Sequence, residues 1–251
     1  MELVVAPAAA RAALITGGSG GIGLAIARML GEEGYALTVV GRRPEQVEGA
    51  VAKLADAGAV VHGIADDLTQ EAAVVAAVQA HRERYGRLDV LVNNAGTGAG
   101  QAVGEISSRH LDRQIDLNLR ATVLAYREAA PLLRAAGAEH GRALVVNTSS
   151  LAGVEPQAWL SVYSATKAAV IAFTRAMNRE LAGDGVRSCA LCPGTVDTAM
   201  TEYLDVDRSV LIDPADLAEV VRMLLRLSPA ALVGEVVIEG VAELLAGPPP
   251  A

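Results

Sequence analysis

Tyr163 and Lys167 stand four residues apart in the run Tyr163-Ser-Ala-Thr-Lys167. On a helix, positions i and i+4 share a face, so the phenol and the ammonium lie side by side. A free tyrosine titrates near ~10 and exchanges its proton poorly at neutral pH. A neighbouring cation favours the phenolate and lowers that value, which makes the tyrosine a usable general acid or base. Upstream, Ser149 and Ser150 close an apolar run. A serine at the carboxyl end of a strand donates a hydrogen bond to a substrate carbonyl, or it only satisfies a turn. Residue type alone leaves both serines open. Asn118 falls at the edge of a helical stripe formed by Leu111, Ile115, Leu119 and Val123. Asparagine is a poor helix-interior residue, and a buried amide needs partners.

A second constellation suits an anion. Thr16-Gly17-Gly18-Ser19-Gly20-Gly21-Ile22-Gly23 follows an apolar run and opens a helical pattern. Gly17 permits a tight turn, Gly21 lets the backbone approach a pyrophosphate, and Gly23 lets the helix pack closely on the strand. The helix N-terminus then offers free N–H groups. Asn93-Asn94-Ala95-Gly96 closes another apolar run, where asparagines tie strand ends together and Gly96 lets backbone pass near a ligand. Pro193-Gly194-Thr195-Val196-Asp197-Thr198 reads as a Pro-Gly turn after a further strand.

These groups must be carried by regular elements. Ala12–Thr16, Ala36–Val40, Ala59–Ile64, Leu88–Val92, Ala143–Thr148, Val186–Leu191 and Glu235–Ile238 read as strands, mostly continuous apolar runs, as in a parallel sheet covered on both faces. Ile22–Gly34, Glu45–Asp56, Gln70–Tyr85, Ser108–Ala136, Ala158–Leu181 and Pro214–Leu227 read as helices between them. The alternation predicts an α/β, doubly wound, seven-stranded parallel sheet in one domain spanning 11–245, after an extension 1–10 and before a Pro-rich tail 246–251 that adds no strand or helix. With 251 residues, 52% hydrophobic and only 3% aromatic, about a fifth of them alanine, the core must come from closely packed helices and Val/Ile/Leu strands. A net charge of −8 argues against nucleic acid as a partner. No apolar run reaches the ~18 residues of a membrane span, and no basic segment precedes Leu3–Ala10, so no secretory signal is read. Cys189 and Cys192 read as buried thiols, since neither a disulfide framework nor a metal site has enough ligands. The expected compartment is a reducing cytoplasm.

The spacing Thr-Gly-x-x-x-Gly-x-Gly resembles that of the short-chain dehydrogenase/reductase family, and the other motifs follow in the family's order over roughly residues 11–240. The resemblance implies a Rossmann-type fold and an NAD(P)-dependent alcohol dehydrogenase or ketoreductase. It places the catalytic serine thirteen positions before the tyrosine, hence Ser150. It assigns Asn118 to a water-mediated proton relay beside Lys167, and gives Lys167 a second task at the nicotinamide ribose. It implies that Asn94, Ala95 and Gly96 run along the cofactor. It has Pro193, Gly194, Val196 and Thr198 hold the nicotinamide, through the Val196 backbone and the Thr198 hydroxyl. One departure lies near the end, where Val237-Ile-Glu239-Gly240-Val241 stands in place of a Gly-Gly-containing turn.

Cofactor choice follows from the second strand's end, Gly41-Arg42-Arg43. An NAD-preferring site places a carboxylate there for the adenosine ribose. Gly41 has none, and Arg42 suits a 2′-phosphate, with Arg43 beside it. Ser19 adds a hydroxyl, and Asp67 and Leu68 fall at the adenine. NADPH is therefore expected over NADH, with NAD as the alternative, and no metal. The segment between Met200 and Asp213 is expected to form a short lid over a small-molecule carbonyl or alcohol substrate. A β-ketoacyl-thioester reductase is the alternative, and a non-catalytic nucleotide sensor a third reading. Stripes Ala121/Ala125/Ala129 and Ala165/Ala168/Ala169/Ala172/Ala176 suggest close helix contact in a homodimer or homotetramer.

Overall fold

The computed structural model describes residues 11–246; the expected extension 1–10 and residues 247–251 of the tail lie outside it. The strands are β1 (Ala12–Thr16), β2 (Ala36–Gly41), β3 (Val61–Ala65), β4 (Val90–Asn93), β5 (Ala143–Thr148), β6 (Val186–Pro193) and β7 (Glu235–Ile238). Among the described residues they form one parallel sheet in the order β3-β2-β1-β4-β5-β6-β7. In register, Ile15 faces Val39 on one side and Val92 on the other, and Val92 faces Val146. The order reverses between β1 and β4, so their carboxyl ends, Thr16 and Asn93, splay around a crevice where such sheets bind ligands.

The helices are α1 (Gly21–Glu32), α2 (Pro44–Asp56), α3 (Glu71–Tyr85), α4 (Ser108–Gln114), α5 (Ala121–His140), α6 (Leu151–Val154), α7 (Ser161–Leu181), α8 (Pro214–Arg226) and α9 (Val241–Ala246). On one face of the sheet, Ile26 and Leu30 of α1 and Val221 and Leu224 of α8 pack on Ile15, Val39, Val92 and Val146. On the other, Val78 of α3 and Tyr126, Ala129 and Leu133 of α5 pack on Leu14, Leu91 and Val145. Burial on both faces explains why the strands are continuous apolar runs. Cys189 and Cys192 are buried free thiols on β6, and burial pushes their pKa values up to about 12 and about 11.

Three expectations are corrected. The helix expected over 108–136 is broken: α4 and α5 are joined by one π-helical stretch, Ile115–Arg120, which is what places Asn118. Its buried stripe is also the other one. Gln114, Asn118, Thr122, Ala125 and Ala129 face inward, whereas Ile115 is exposed and Leu111, Leu119 and Val123 are half-buried. The mean apolar pattern points outward because the inward face here carries a hydrogen-bonding network instead of bulk. Consequently Ala121, Ala125 and Ala129 are spent on the chain's own core, while Ala165, Ala172 and Ala176 of α7 are exposed. Third, α7 starts at Ser161, not Ala158, because Trp159 adopts a left-handed conformation with φ +56° that no α-helix accommodates. Sequence periodicity did not signal the short α6, and Ala246, expected in the tail, ends α9.

Candidate active site

The crevice floor is built from strand ends. Gly17 turns with φ +65°. Thr16 Oγ1 accepts the N–H groups of Asn94 and Ala95 at 3.0 and 3.1 Å, while Asn94 Nδ2 donates to the Gly17 carbonyl at 3.1 Å. The glycine-rich turn and the end of β4 are thus locked to each other. Gly23 serves this lock more than the strand contact expected for it. A methyl at Gly23 would lie 2.2 Å from the Gly17 carbonyl oxygen and 2.6 Å from Asn94 Nδ2. α1 begins without a side-chain cap, so its first N–H groups are left for a ligand. Gly17, Ser19, Gly21 and Ile22 line one wall of a cleft of about 660 Å³, and Asn94, Ala95 and Gly96 line the next. Asn93 is directed away from the cleft, its amide bonded to Asn147 across the β4–β5 boundary.

Beyond this floor the end of β5 and helix α7 carry the candidate chemistry. Lys167 is 4% exposed and its Nζ donates to the Thr148 carbonyl at 2.8 Å. Burial brings its pKa down to about 8. The two serines separate cleanly. Ser149 is buried and its hydroxyl donates to the Lys167 carbonyl at 2.8 Å, so it anchors α7. Ser150 caps α6, accepting from the Ala152 N–H at 3.2 Å, and lines the cleft with Tyr163, near enough to oppose the rise of the phenol's pKa. The resemblance had pointed to Ser150, and the geometry places it, not Ser149, beside the phenol.

Tyr163 departs from the expectation in its electrostatics. Burial raises the phenol above its ordinary value, the bond to Ser150 opposes this, and nearby Tyr203 adds to the rise. Lys167 does not lower it here: Nζ stands 5.7 Å from the ring centroid, directed to Thr148. The i, i+4 spacing does bring the two side chains together, with Nζ over the ring.

Asn118 is 1% exposed. Its Oδ1 accepts from Thr97 N at 2.8 Å, and its Nδ2 donates to the Thr97 carbonyl and Thr166 Oγ1 at 2.9 and 3.0 Å. It clamps the segment after Gly96 against α7. A methyl at Gly96 would stand 3.3 Å from Asn118 Oδ1 and 3.4 Å from Lys167 Nζ, so the glycine keeps that junction open.

At the far wall, Pro193, Gly194, Val196 and Thr198 all line the cleft. The Thr198–Thr201 turn is a reciprocal capping box, and Thr201 Oγ1 also donates to the Val196 carbonyl at 2.7 Å. At the opposite end a smaller cavity is lined by Ser19, Gly41, Arg42, Arg43, Asp67 and Leu68. A methyl at Gly41 would lie 2.6 Å from Ser19 Oγ, so no acidic side chain fits there without moving Ser19. Arg43 Nε donates to Gln46 Oε1 at 3.0 Å. Asp67 Oδ1 accepts from Thr69 N at 3.1 Å.

The structure adds residues that sequence reasoning passed over. Arg113 of α4 lines the cavity that holds Arg42, although about seventy positions separate them. Thr201 ties the Val196 turn, and the Thr-x-x-Thr spacing was its available signal. Gly98, Ala99, Gly100, Trp159 and Met200 line the substrate end, where no motif marked them. The segment between Met200 and Asp213, expected as a lid, starts within the 3₁₀ turn Ala199–Thr201 and contains a second, Arg208–Val210. Its single cation, Arg208, pairs with Asp197 and donates to the Thr201 carbonyl at 3.0 Å and the Thr198 carbonyl at 3.2 Å.

Known proteins agree with this architecture. The family model described as short chain dehydrogenase matches residues 11–209. The chain is 38% identical over 195 residues to the monensin polyketide synthase putative ketoacyl reductase of Streptomyces virginiae, covering 76% of this chain and 73% of that protein. It superposes on an alcohol dehydrogenase of Thermococcus sibiricus complexed with 5-hydroxy-NADP, with a TM-score of 0.84, 30% identity and coverage of 93% of this chain and 97% of that one. It also superposes on a 3-ketoacyl-(acyl-carrier-protein) reductase of Brucella melitensis complexed with NADH, with a TM-score of 0.83, 30% identity and the same coverage. A glycine-rich turn locked to the end of β4, a Tyr163–Ser150 pair over a buried Lys167, and this match across most of its length place the chain in the short-chain dehydrogenase family of NAD(P)-dependent oxidoreductases.

Proposed function

We propose that residues 11–245 act as one catalytic domain that reduces the carbonyl of a small molecule with NADPH, or oxidises the corresponding alcohol. The observation that carries this reading is that Ser150, Tyr163 and the buried Lys167 line one cleft that ends on the glycine-rich turn. The residues fit a nicotinamide dinucleotide: five glycines leave the Gly17–Gly23 turn bare except for Ser19 and Ile22, and a methyl at Gly21 would strike Thr198, closing the gap between the two walls. The first-turn N–H groups of α1 with Thr16, Ser19 and Ile22 would hold the pyrophosphate side. Asn94, Ala95, Gly96 and Lys167 would hold the nicotinamide ribose, and Pro193, Gly194, Val196 and Thr198 the nicotinamide. When bound, the group supplies the hydride that adds to the carbonyl carbon.

The chain's own residues do the rest. Ser150 donates a hydrogen bond to the carbonyl oxygen and stabilises the charge that develops there. Tyr163 is protonated at neutral pH like any ordinary phenol, its burial only adding to this, and it gives that oxygen its proton. Lys167, charged below a pKa of about 8, re-supplies the tyrosine through the junction that Gly96 leaves open beside Asn118.

Cofactor choice is made at β2. The two solved relatives carry an NADP derivative in one case and NADH in the other, so the fold accepts both. Here Gly41 has no carboxylate, Ser19 occupies the space one would need, and Arg42 and Arg43 line the cavity with Arg113. A 2′-phosphate suits that lining, which supports NADPH. The β-ketoacyl-thioester alternative draws on the likeness to a putative ketoacyl reductase. Among the described residues no helix is long and apolar enough to cross a membrane. A homo-oligomer is supported by the exposed Ala165, Ala172 and Ala176 together with Ile115; light scattering at the mass of one chain would refute it.

The test is spectrophotometric. NADPH oxidation is followed across ketones, aldehydes and β-ketoacyl thioesters. Turnover of at least one class with NADPH favoured over NADH is expected; tight NADPH binding with no turnover of any class would identify a sensor instead.

A further inference from the structure

We propose that Trp159 is the specificity-determining residue of this cleft, and that the chain acts on uncharged ketones or aldehydes whose carbonyl is fused or attached to an aromatic ring. The proposal rests on the carbonyl-reductase reading and names the substrate class for that same site.

Trp159 is placed against the ordinary preferences of its residue type. It is the chain's single tryptophan, yet it is 57% exposed and contributes nothing to the core. Among the described residues it is also the one non-glycine with a positive φ, +56°, a region that bulky side chains avoid. Strain of that kind persists only where surrounding structure enforces it, and it concentrates at functional sites.

The enforcement is visible. The Trp159 carbonyl accepts from Gln101 N at 2.7 Å. The indole seats directly on Gly100, where a methyl would lie 1.9 Å from Cε3 and 2.1 Å from Cζ3. Any side chain at position 100 would displace it. On the other side the turn is tied to α7, with Gln157 N donating to Ser164 Oγ at 3.3 Å and Leu160 N to the Gln157 carbonyl at 3.3 Å. The ring is therefore fixed four residues ahead of Tyr163, in the cleft that holds the phenol. Aromatic rings stack offset or edge-to-face with one another, which favours a flat partner over a flexible chain.

Charge narrows the class further. Besides Trp159, the substrate end is lined by Gly98, Ala99, Leu151, Leu160, Met200 and Tyr203. Two cations line the whole cleft among the described residues: Lys167, bonded to Thr148, and Arg43, held by Gln46 at the far end. Arg208 of the lid is consumed by Asp197 and two carbonyls. Among the described residues that line this end, none carries a free cation to read a phosphate or carboxylate. A neutral aromatic ketone fits that lining. Tyr203 and Met200, 73% and 49% exposed, form the facing rim.

The experiment compares 1-tetralone with 2-decanone, two ketones of equal carbon number, at saturating NADPH. Wild type is expected to show kcat/KM at least tenfold higher for 1-tetralone. Trp159→Gly removes the ring while suiting the left-handed backbone, so its melting temperature should not fall. It should reduce the tetralone-to-decanone ratio at least tenfold, mostly through KM, and Trp159→Phe should restore most of the ratio. Equal losses on both ketones, or a wild-type preference for 2-decanone, would overturn the proposal and leave the reductase reading standing. Reduction of neither ketone by a chain that binds NADPH and reduces other carbonyls also overturns it; failure on all carbonyls brings down the reductase reading as well.

Discussion

The two ends of the cleft are built on different principles. The cofactor floor is made of strand termini whose side chains and backbone groups hold one another: Thr16, Gly17, Asn94 and Thr148 form one continuous hydrogen-bonded patch. Single methyl groups are excluded there by backbone atoms closer than 3 Å. The substrate rim is made of loops and 3₁₀ turns that expose Trp159, Met200 and Tyr203. The floor has one solution because it rests on the sheet. The rim has many, because it is built of loops that do not rest on the sheet, and this lets one fold serve different substrates.

The sharpest way to test the division is at the boundary, where Tyr163 belongs to both halves. Tyr163→Phe should reduce kcat by ~10²–10⁴ and leave NADPH affinity within about twofold, read by stopped-flow and fluorescence titration. Retention of more than a tenth of wild-type turnover would assign the acid elsewhere.

The sheet under the floor also has a pH limit that the rim lacks. His81 of α3 is fully buried, bonded to Thr38 of β2 at 2.8 Å and to the Arg87 carbonyl at 2.9 Å. Burial lowers its pKa to about 4. Above pH ~6.5 the histidine is neutral in both folded and unfolded chains. As pH falls from there toward 4, the unfolded chain takes up a proton that the folded chain refuses, so stability falls, by roughly 3 kcal/mol once pH reaches the folded value. Chemical denaturation at pH 7 and pH 4.5 measures this, and His81→Gln should flatten the profile. A profile that His81→Gln leaves unchanged would remove His81 as its cause.

A smaller effect distinguishes the two ends of the floor itself. Arg42→Ala should weaken NADPH by about 1.5–3 kcal/mol and NADH hardly at all, as expected when a charged hydrogen bond to a phosphate is lost. Equal losses by isothermal titration would show that Arg42 does not read the phosphate. Least of all, Tyr203→Ser on the rim should shift the melting temperature negligibly, within about 0.5 kcal/mol, while changing KM for a bulky ketone. A large loss of stability would mean that the rim is structural after all.

Most of the floor was legible in the chain. The glycine-rich run, the strand-end asparagines, the Tyr163–Lys167 pair and the missing carboxylate at Gly41 are local patterns, and the alternation of apolar runs with helices places them at one edge of a parallel sheet. Local patterns failed where a contact at long range reverses a preference. The stripe Leu111, Ile115, Leu119 and Val123 reads as core, yet the buried face is the one that carries Asn118, because Thr97 and Thr166 satisfy its amide. Ser149 and Ser150 are adjacent and chemically equal. Their roles diverge only once one meets the Lys167 carbonyl and the other meets Tyr163.

The chain alone determined the order of elements, the edge of the sheet where the motifs gather and the residues proposed to exchange the proton, since these depend on periodicity, glycine placement and i, i+4 spacing. Tertiary structure decided the electrostatics and the specificity. Burial sets Lys167 at about 8 and raises Tyr163, the reverse of what proximity to a cation predicts for the phenol. Desolvation depends on everything packed around a group, and no spacing rule encodes it. The same holds for Trp159. Its residue type says core, and only the meeting of Gly100, Gln101 and the start of α7 holds its ring in the cleft.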